Sequence, residues 1–101
     1  MLDDLRRILA DRRILLVEDE SLIAMDIQDI IENWGCIVIG PAPTSAVALD
    51  LMAEHALDGA ILDVNLRGET SEPIANALRE QNRPFVVMSA YERSHLNGAL
   101  R

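Results

Sequence analysis

Arg13-Ile-Leu-Leu-Val-Glu-Asp-Glu20, in one-letter form RILLVEDE, joins an unbroken apolar run to three consecutive acids. An apolar run with no polar alternation, here Ile14 to Val17, is what a strand needs when it is buried on both faces of a parallel sheet. The acids mark where that strand leaves the core. The same punctuation recurs downstream. Cys36 to Ile39 reads as a second strand closed by Gly40-Pro41, Gly59 to Leu62 as a third ending at Asp63, and Pro84 to Met88 as a fourth.

Helical periodicity fills the intervals. Ser21 is a candidate N-cap for a helix whose apolar stripe is Ile23, Ile27, Ile30, Ile31 and Trp34, with Trp34 expected in the core and Gly35 placed to end the helix. Thr44 or Ser45 can cap the next helix, with Val47, Ala48, Leu51 and Met52 inward. A third helix holds Ile74, Ala77 and Leu78, with Pro73 in its first turn, where a missing N–H costs nothing. Upstream, Leu2, Leu5, Ile8 and Leu9 predict a short amphipathic helix, so residues 1–11 read as an extension of a single domain spanning 1–101. Strands alternating with helices through short connections specify an α/β fold, a doubly wound parallel sheet built from right-handed crossovers.

Composition narrows the function. The 101 residues carry a formal charge of −8, from seventeen acids against nine basic residues, all of them Arg and scattered. Direct nucleic-acid binding is disfavoured, because phosphate neutralisation needs a concentrated basic surface. Cys36 is the only cysteine, which excludes an internal disulfide and a thiolate zinc site. No apolar run has the roughly 20 residues that span a bilayer, and the expected location is the cytoplasm.

In an open α/β sheet the ligand lies beyond the carboxyl ends of the strands, where strand order reverses. Glu18, Asp19, Asp63 and Ser89 are all expected there. Three carboxylates gathered at one place repel unless a cation or retained protons neutralise them, and Mg2+ suits a site of few carboxylates completed by water and phosphate oxygens. Solvated surface charge is the plainer account of Asp26, Asp29 and Glu32 on one helical side, and of His55 and His95.

With RILLVEDE at 13–20, AILDVNLRGE at 60–69 and PFVVMSAY at 84–91, the sequence resembles the receiver domains of bacterial two-component response regulators. The resemblance implies a flavodoxin-like receiver fold with four of its five strands. It implies that Asp63 is the phosphoacceptor, taking a phosphoryl group from a sensor histidine kinase or phosphotransfer protein in a phosphorelay. Asp19, Asp63 and the Asn65 carbonyl would ligate Mg2+, and Glu18 would do so through water. Ser89 would be the switch hydroxyl and Tyr91 the switch aromatic; Arg67 and Glu69 are candidate kinase contacts. The family's lysine at the end of a fifth strand has no counterpart here, since the sequence contains no lysine and only AYERSHLNGALR follows Ser89. The chain reads either as incomplete or as a receiver lacking that unit, with Arg93 as an electrostatic substitute. A fourth strand left at the edge predicts a homo-oligomer formed through that strand and Tyr91 to Leu100. The alternatives are a pseudo-receiver acting as an interaction or dimerisation module, and a Mg2+-dependent aspartyl phosphatase. Phosphatases of that kind carry a second Asp two residues after the nucleophile, where this chain has Asn65.

Overall fold

The computed structural model describes residues 2–66 and 69–88. In chain order the elements are α1 (Leu2–Leu9), β1 (Arg13–Val17), α2 (Ser21–Asn33), β2 (Ile37–Ala42), α3 (Ser45–Glu54), β3 (Gly59–Asp63), β4 (Asn65–Leu66), β5 (Glu69–Thr70), α4 (Glu72–Glu80) and β6 (Phe85–Met88). Four strands form one parallel sheet in the order β2-β1-β3-β6. The chain moves from β1 to β2 in one direction and then crosses back over β1 to β3. Right-handed crossovers therefore put α2 on one face and α3 and α4 on the other. The reversal lies between β1 and β3, which makes this a doubly wound α/β fold of the flavodoxin type. No helix among the described residues is long and apolar enough to cross a membrane.

The two faces are packed differently. Alternate sheet residues Leu15, Val17, Ala60 and Leu62 meet Ala48 and Met52 of α3 and Ile74 and Leu78 of α4 in the main apolar core. Leu15, Leu62, Ile74 and Leu78 are fully buried, each worth roughly 1.5–3 kcal/mol in transfer free energy. On the other face, Ile14 and Ile61 line a groove of about 790 Å³ bounded by Ile30, Ile31 and Trp34 of α2 and by Val86 of β6. Trp34 is consequently half-buried, not in the core, and Ile30 is exposed. Helical spacing found α2's apolar stripe correctly, and Ile8 and Leu9 of α1 line the same groove, but Ile8 and Ile30 stay exposed, so the two helices do not close over it.

Three further boundaries differ from the sequence reading. Ser21 is the first residue of α2, not its cap; Glu20 occupies that position in extended conformation. The Glu20 N–H is held by the Glu18 carboxylate at 3.1 Å, so the chain turns into the helix one residue early. Gly40-Pro41 does not close β2, which runs on to Ala42 through a cis peptide bond. The pairing slips there, from Leu15 opposite Ile39 to Val17 opposite Ala42, so β2 carries one extra residue as a bulge. Gly40 is required at that point, because a Cβ would lie 2.8 Å from both the Leu16 carbonyl oxygen and the Ala42 nitrogen. Finally, the loop expected after Asp63 contains a two-stranded antiparallel ribbon of β4 and β5.

Several local expectations match the structure. Thr44 caps α3, its hydroxyl accepting from the Val47 N–H at 3.2 Å. Gly35, at φ +88, follows the C-cap Trp34 of α2 in the left-handed region, and Pro73 occupies the first turn of α4. Helix α1 is fastened to this end of the molecule: the Asp11 N–H donates to the Gly35 carbonyl at 2.8 Å and the buried Cys36 thiol to that of Leu9 at 3.5 Å. Burial pushes the Cys36 thiol up from its ordinary range.

Candidate functional site

The parallel register of β1 and β3 creates the site. Leu16 pairs with Ile61 and Val17 with Leu62, so the two strands end side by side. Glu18 and Asp19, which continue β1, thereby meet Asp63, the last residue of β3. Each of the three offers a carboxylate oxygen within 4.8 Å of the others, with Glu18 and Asp63 buried and Asp19 half-buried. Asp63 is 1% exposed. Two full charges at that spacing repel by about 3–4 kcal/mol at an effective dielectric near 20. Burial of both members keeps water from screening this repulsion.

The surrounding backbone fixes the acids in place. The Glu18 N–H donates to the Ala42 carbonyl at 3.0 Å, an arrangement that the bulge in β2 makes possible. The Glu18 carboxylate in turn accepts from the Glu20 N–H. On the other side, Asp63 pairs with Met88 of β6, and the Val64 N–H donates to the Met88 carbonyl at 2.9 Å. Asn65 follows two residues later in β4, paired with Thr70 of β5.

The donor set is hard and all oxygen, with no thiolate or imidazole in the cluster. Such a set fits a divalent cation of the Mg2+ or Ca2+ type better than zinc or copper. His55 belongs to the other end of the sheet: its Nδ1 lies 3.2 Å from a guanidinium nitrogen of Arg13, at the start of β1. Ser89, Tyr91, Arg67, Arg93 and His95 lie outside the described residues, as does the segment Tyr91 to Leu100.

Sequence reasoning missed the ribbon and what Glu69 does in it. The Glu69 carboxylate accepts from the Ser45 N–H at 2.8 Å, and the Ser45 hydroxyl donates to the Thr70 carbonyl at 3.2 Å. Gly68, between Leu66 and Glu69, was the one turn signal available.

A doubly wound parallel α/β sheet with an acidic cluster at its reversal point, of a kind that could hold a cation, defines the class. The comparisons narrow this: the chain belongs to the response regulator receiver domain family, whose model matches residues 14–100. It is 35% identical over 88 residues to the phyllosphere-induced regulator PhyR of Methylorubrum extorquens, a match covering 84% of this chain and 33% of that protein. The solution structure of SdrG from Sphingomonas melonis Fr1 is 46% identical with a TM-score of 0.71, covering 76% of this chain and 66% of that one. The BeF3-activated conformation of SdrG from Pseudomonas melonis Fr1 is 44% identical with a TM-score of 0.65, covering 77% and 67%. The chain spans about a third of the length of PhyR. Receiver domains are regulatory modules of two-component systems, and this chain shares their fold.

Proposed function

We propose that the chain is a phosphoacceptor in a two-component phosphorelay, with Asp63 receiving the phosphoryl group of a phosphohistidine on a sensor histidine kinase or phosphotransfer protein. The observation that carries this reading is the meeting of Asp63 with Glu18 and Asp19 within 4.8 Å at the ends of adjacent strands. Asp19, Asp63 and the Asn65 carbonyl would hold Mg2+, with Glu18 contributing through water. When bound, that cation supplies positive charge offsetting both the nucleophile and the incoming phosphoryl oxygens.

The chain's own part is positioning. A carboxylate oxygen of Asp63 attacks phosphorus, the P–N bond breaks, and the departing imidazole nitrogen keeps the bonding pair and takes up a proton. The β1–β3 register sets the nucleophile beside the acids that hold the cation, and burial limits competing water. Ser89 and Tyr91, which follow β6 directly, would convey the change to a partner, and the protein would act in the cytoplasm. The BeF3-activated form of SdrG supports the reading, since beryllofluoride imitates a phosphoryl group on a carboxylate. Among the described residues β6 is the edge strand of the sheet, and its outer side would pair with a second copy. Sedimentation that finds a clean monomer at high concentration removes that part.

A second reading is the pseudo-receiver, an interaction module with the same fold that is not phosphorylated. Treatment with acetyl phosphate and Mg2+, followed by intact-mass measurement beside Asp63→Asn, separates the two. A stable gain of one phosphoryl group, lost in the variant, is expected. No gain in the wild type supports the interaction module, and rapid turnover of the phosphodonor supports a phosphatase.

A further inference from the structure

We infer that Glu69 is a positioning residue for the cation site, acting through the ribbon that carries the Asn65 carbonyl; the inference rests on the reading of Asp63 and its neighbours as a Mg2+ site. The ribbon is short, two residues on each strand, and an isolated hairpin of that size has no stability of its own in water. Its hold on the rest of the molecule must come from elsewhere. Leu66, 1% exposed, anchors the first strand in the apolar core. The Val64 N–H, bonded to the Met88 carbonyl at 2.9 Å, holds the approach to that strand, and both anchors act on the inner strand, leaving the outer one to be fixed separately.

The remaining attachment is polar and belongs to α3. Ser45 is the first residue of that helix, and its N–H is among the donors without a partner inside the helix. Glu69 accepts from it at 2.8 Å, while the Ser45 hydroxyl reaches the Thr70 carbonyl at 3.2 Å. The carboxylate is also favourably placed at the positive end of the helix. Because Thr70 pairs with Asn65, fixing the outer strand fixes the Asn65 backbone. The circuit closes on the acids: α3 is entered from Ala42, whose carbonyl holds the Glu18 N–H at 3.0 Å. Both sides of the site are thus tied to the start of one helix, and Glu69 makes the tie on the Asp63 side.

Three variants test this by calorimetric titration of the intact chain with MgCl2. Glu69→Ala should weaken Mg2+ binding about 3- to 10-fold, at or below the range for groups that orient metal ligands, because this bond is exposed. Glu69→Gln keeps the acceptor and should restore affinity to within about twofold. Ser45→Pro deletes the donor at a helix position that tolerates proline, after a residue already in the extended region that precedes proline. It also removes the hydroxyl bond to the Thr70 carbonyl, so it should weaken Mg2+ binding at least as much as Glu69→Ala, and the double variant should be no worse than Ser45→Pro alone, since the bond between Ser45 and Glu69 is already gone. A role confined to stability would lower the melting temperature and leave the Mg2+ affinity of the folded protein unchanged. Wild-type affinity in Glu69→Ala, or additive losses in the double variant, overturns this inference alone. A wild type that binds no Mg2+ overturns the site reading and this inference with it.

Discussion

Replacing Asp63 by Asn should stabilise the protein in the absence of divalent cations and destabilise it, relative to wild type, in their presence. Glu18 and Asp63 are 3% and 1% exposed, and the carboxylate oxygens of the cluster lie within 4.8 Å of one another. Full charges at that separation repel by about 3–4 kcal/mol per pair at an effective dielectric near 20. Local hydrogen bonds to the acids offset much of this, leaving a net gain of about 1–3 kcal/mol for the near-isosteric amide. At about 4–8 °C per kcal/mol for a chain of this size, Asp63→Asn should melt roughly 5 °C or more above wild type in chelator. Adding Mg2+ to 1,000 times its dissociation constant should stabilise the wild type by about 4.1 kcal/mol, whereas the variant, lacking a ligand, should respond far less. The order of melting temperatures then reverses. Circular-dichroism melts of both proteins, with chelator and with Mg2+, measure this directly. A variant that melts below wild type in chelator refutes the claim that the cluster is repulsive. A variant that gains as much from Mg2+ as wild type refutes Asp63 as a ligand.

Thr44→Ala removes the acceptor of the Val47 N–H and should cost about 1 kcal/mol by denaturant unfolding. Gly40→Ala would force a Cβ to within 2.8 Å of the Leu16 and Ala42 backbone at φ +108, and a loss of about 2 kcal/mol or more is expected. Because burial raises the Cys36 thiol, its contribution to stability is complete below the unfolded value of about 8.5 and falls as pH climbs through the higher folded value. Guanidinium midpoints should therefore decline as pH rises above about 8.5, and Cys36→Ala should flatten the decline.

How much of this was legible depended on the length over which a pattern repeats. Ile14 to Val17 and Gly59 to Leu62 announce buried strands because each is an unbroken apolar run closed by an acid, and the same acids then locate the site. Gly40-Pro41 misled because the pair is ordinarily a turn, and nothing local distinguishes a turn from a bulge continued by register with β1. Trp34 shows the limit of helical spacing: it reveals which side of α2 is apolar but not what lies against that side. The ribbon of β4 and β5 is too short to carry any period, and the bond from Ser45 to Glu69 joins segments that no local rule connects. The switch roles of Ser89 and Tyr91 rest on family likeness alone, and both residues lie outside the described residues.

The slip between β1 and β2 has a consequence for evolution of the domain. The extra residue leaves Ala42 level with Val17, where its carbonyl receives the Glu18 N–H. The surplus backbone is accommodated at Gly40, where no Cβ fits against the Leu16 and Ala42 main chain. Sequence drift at that one position is therefore constrained by backbone geometry beside the acids.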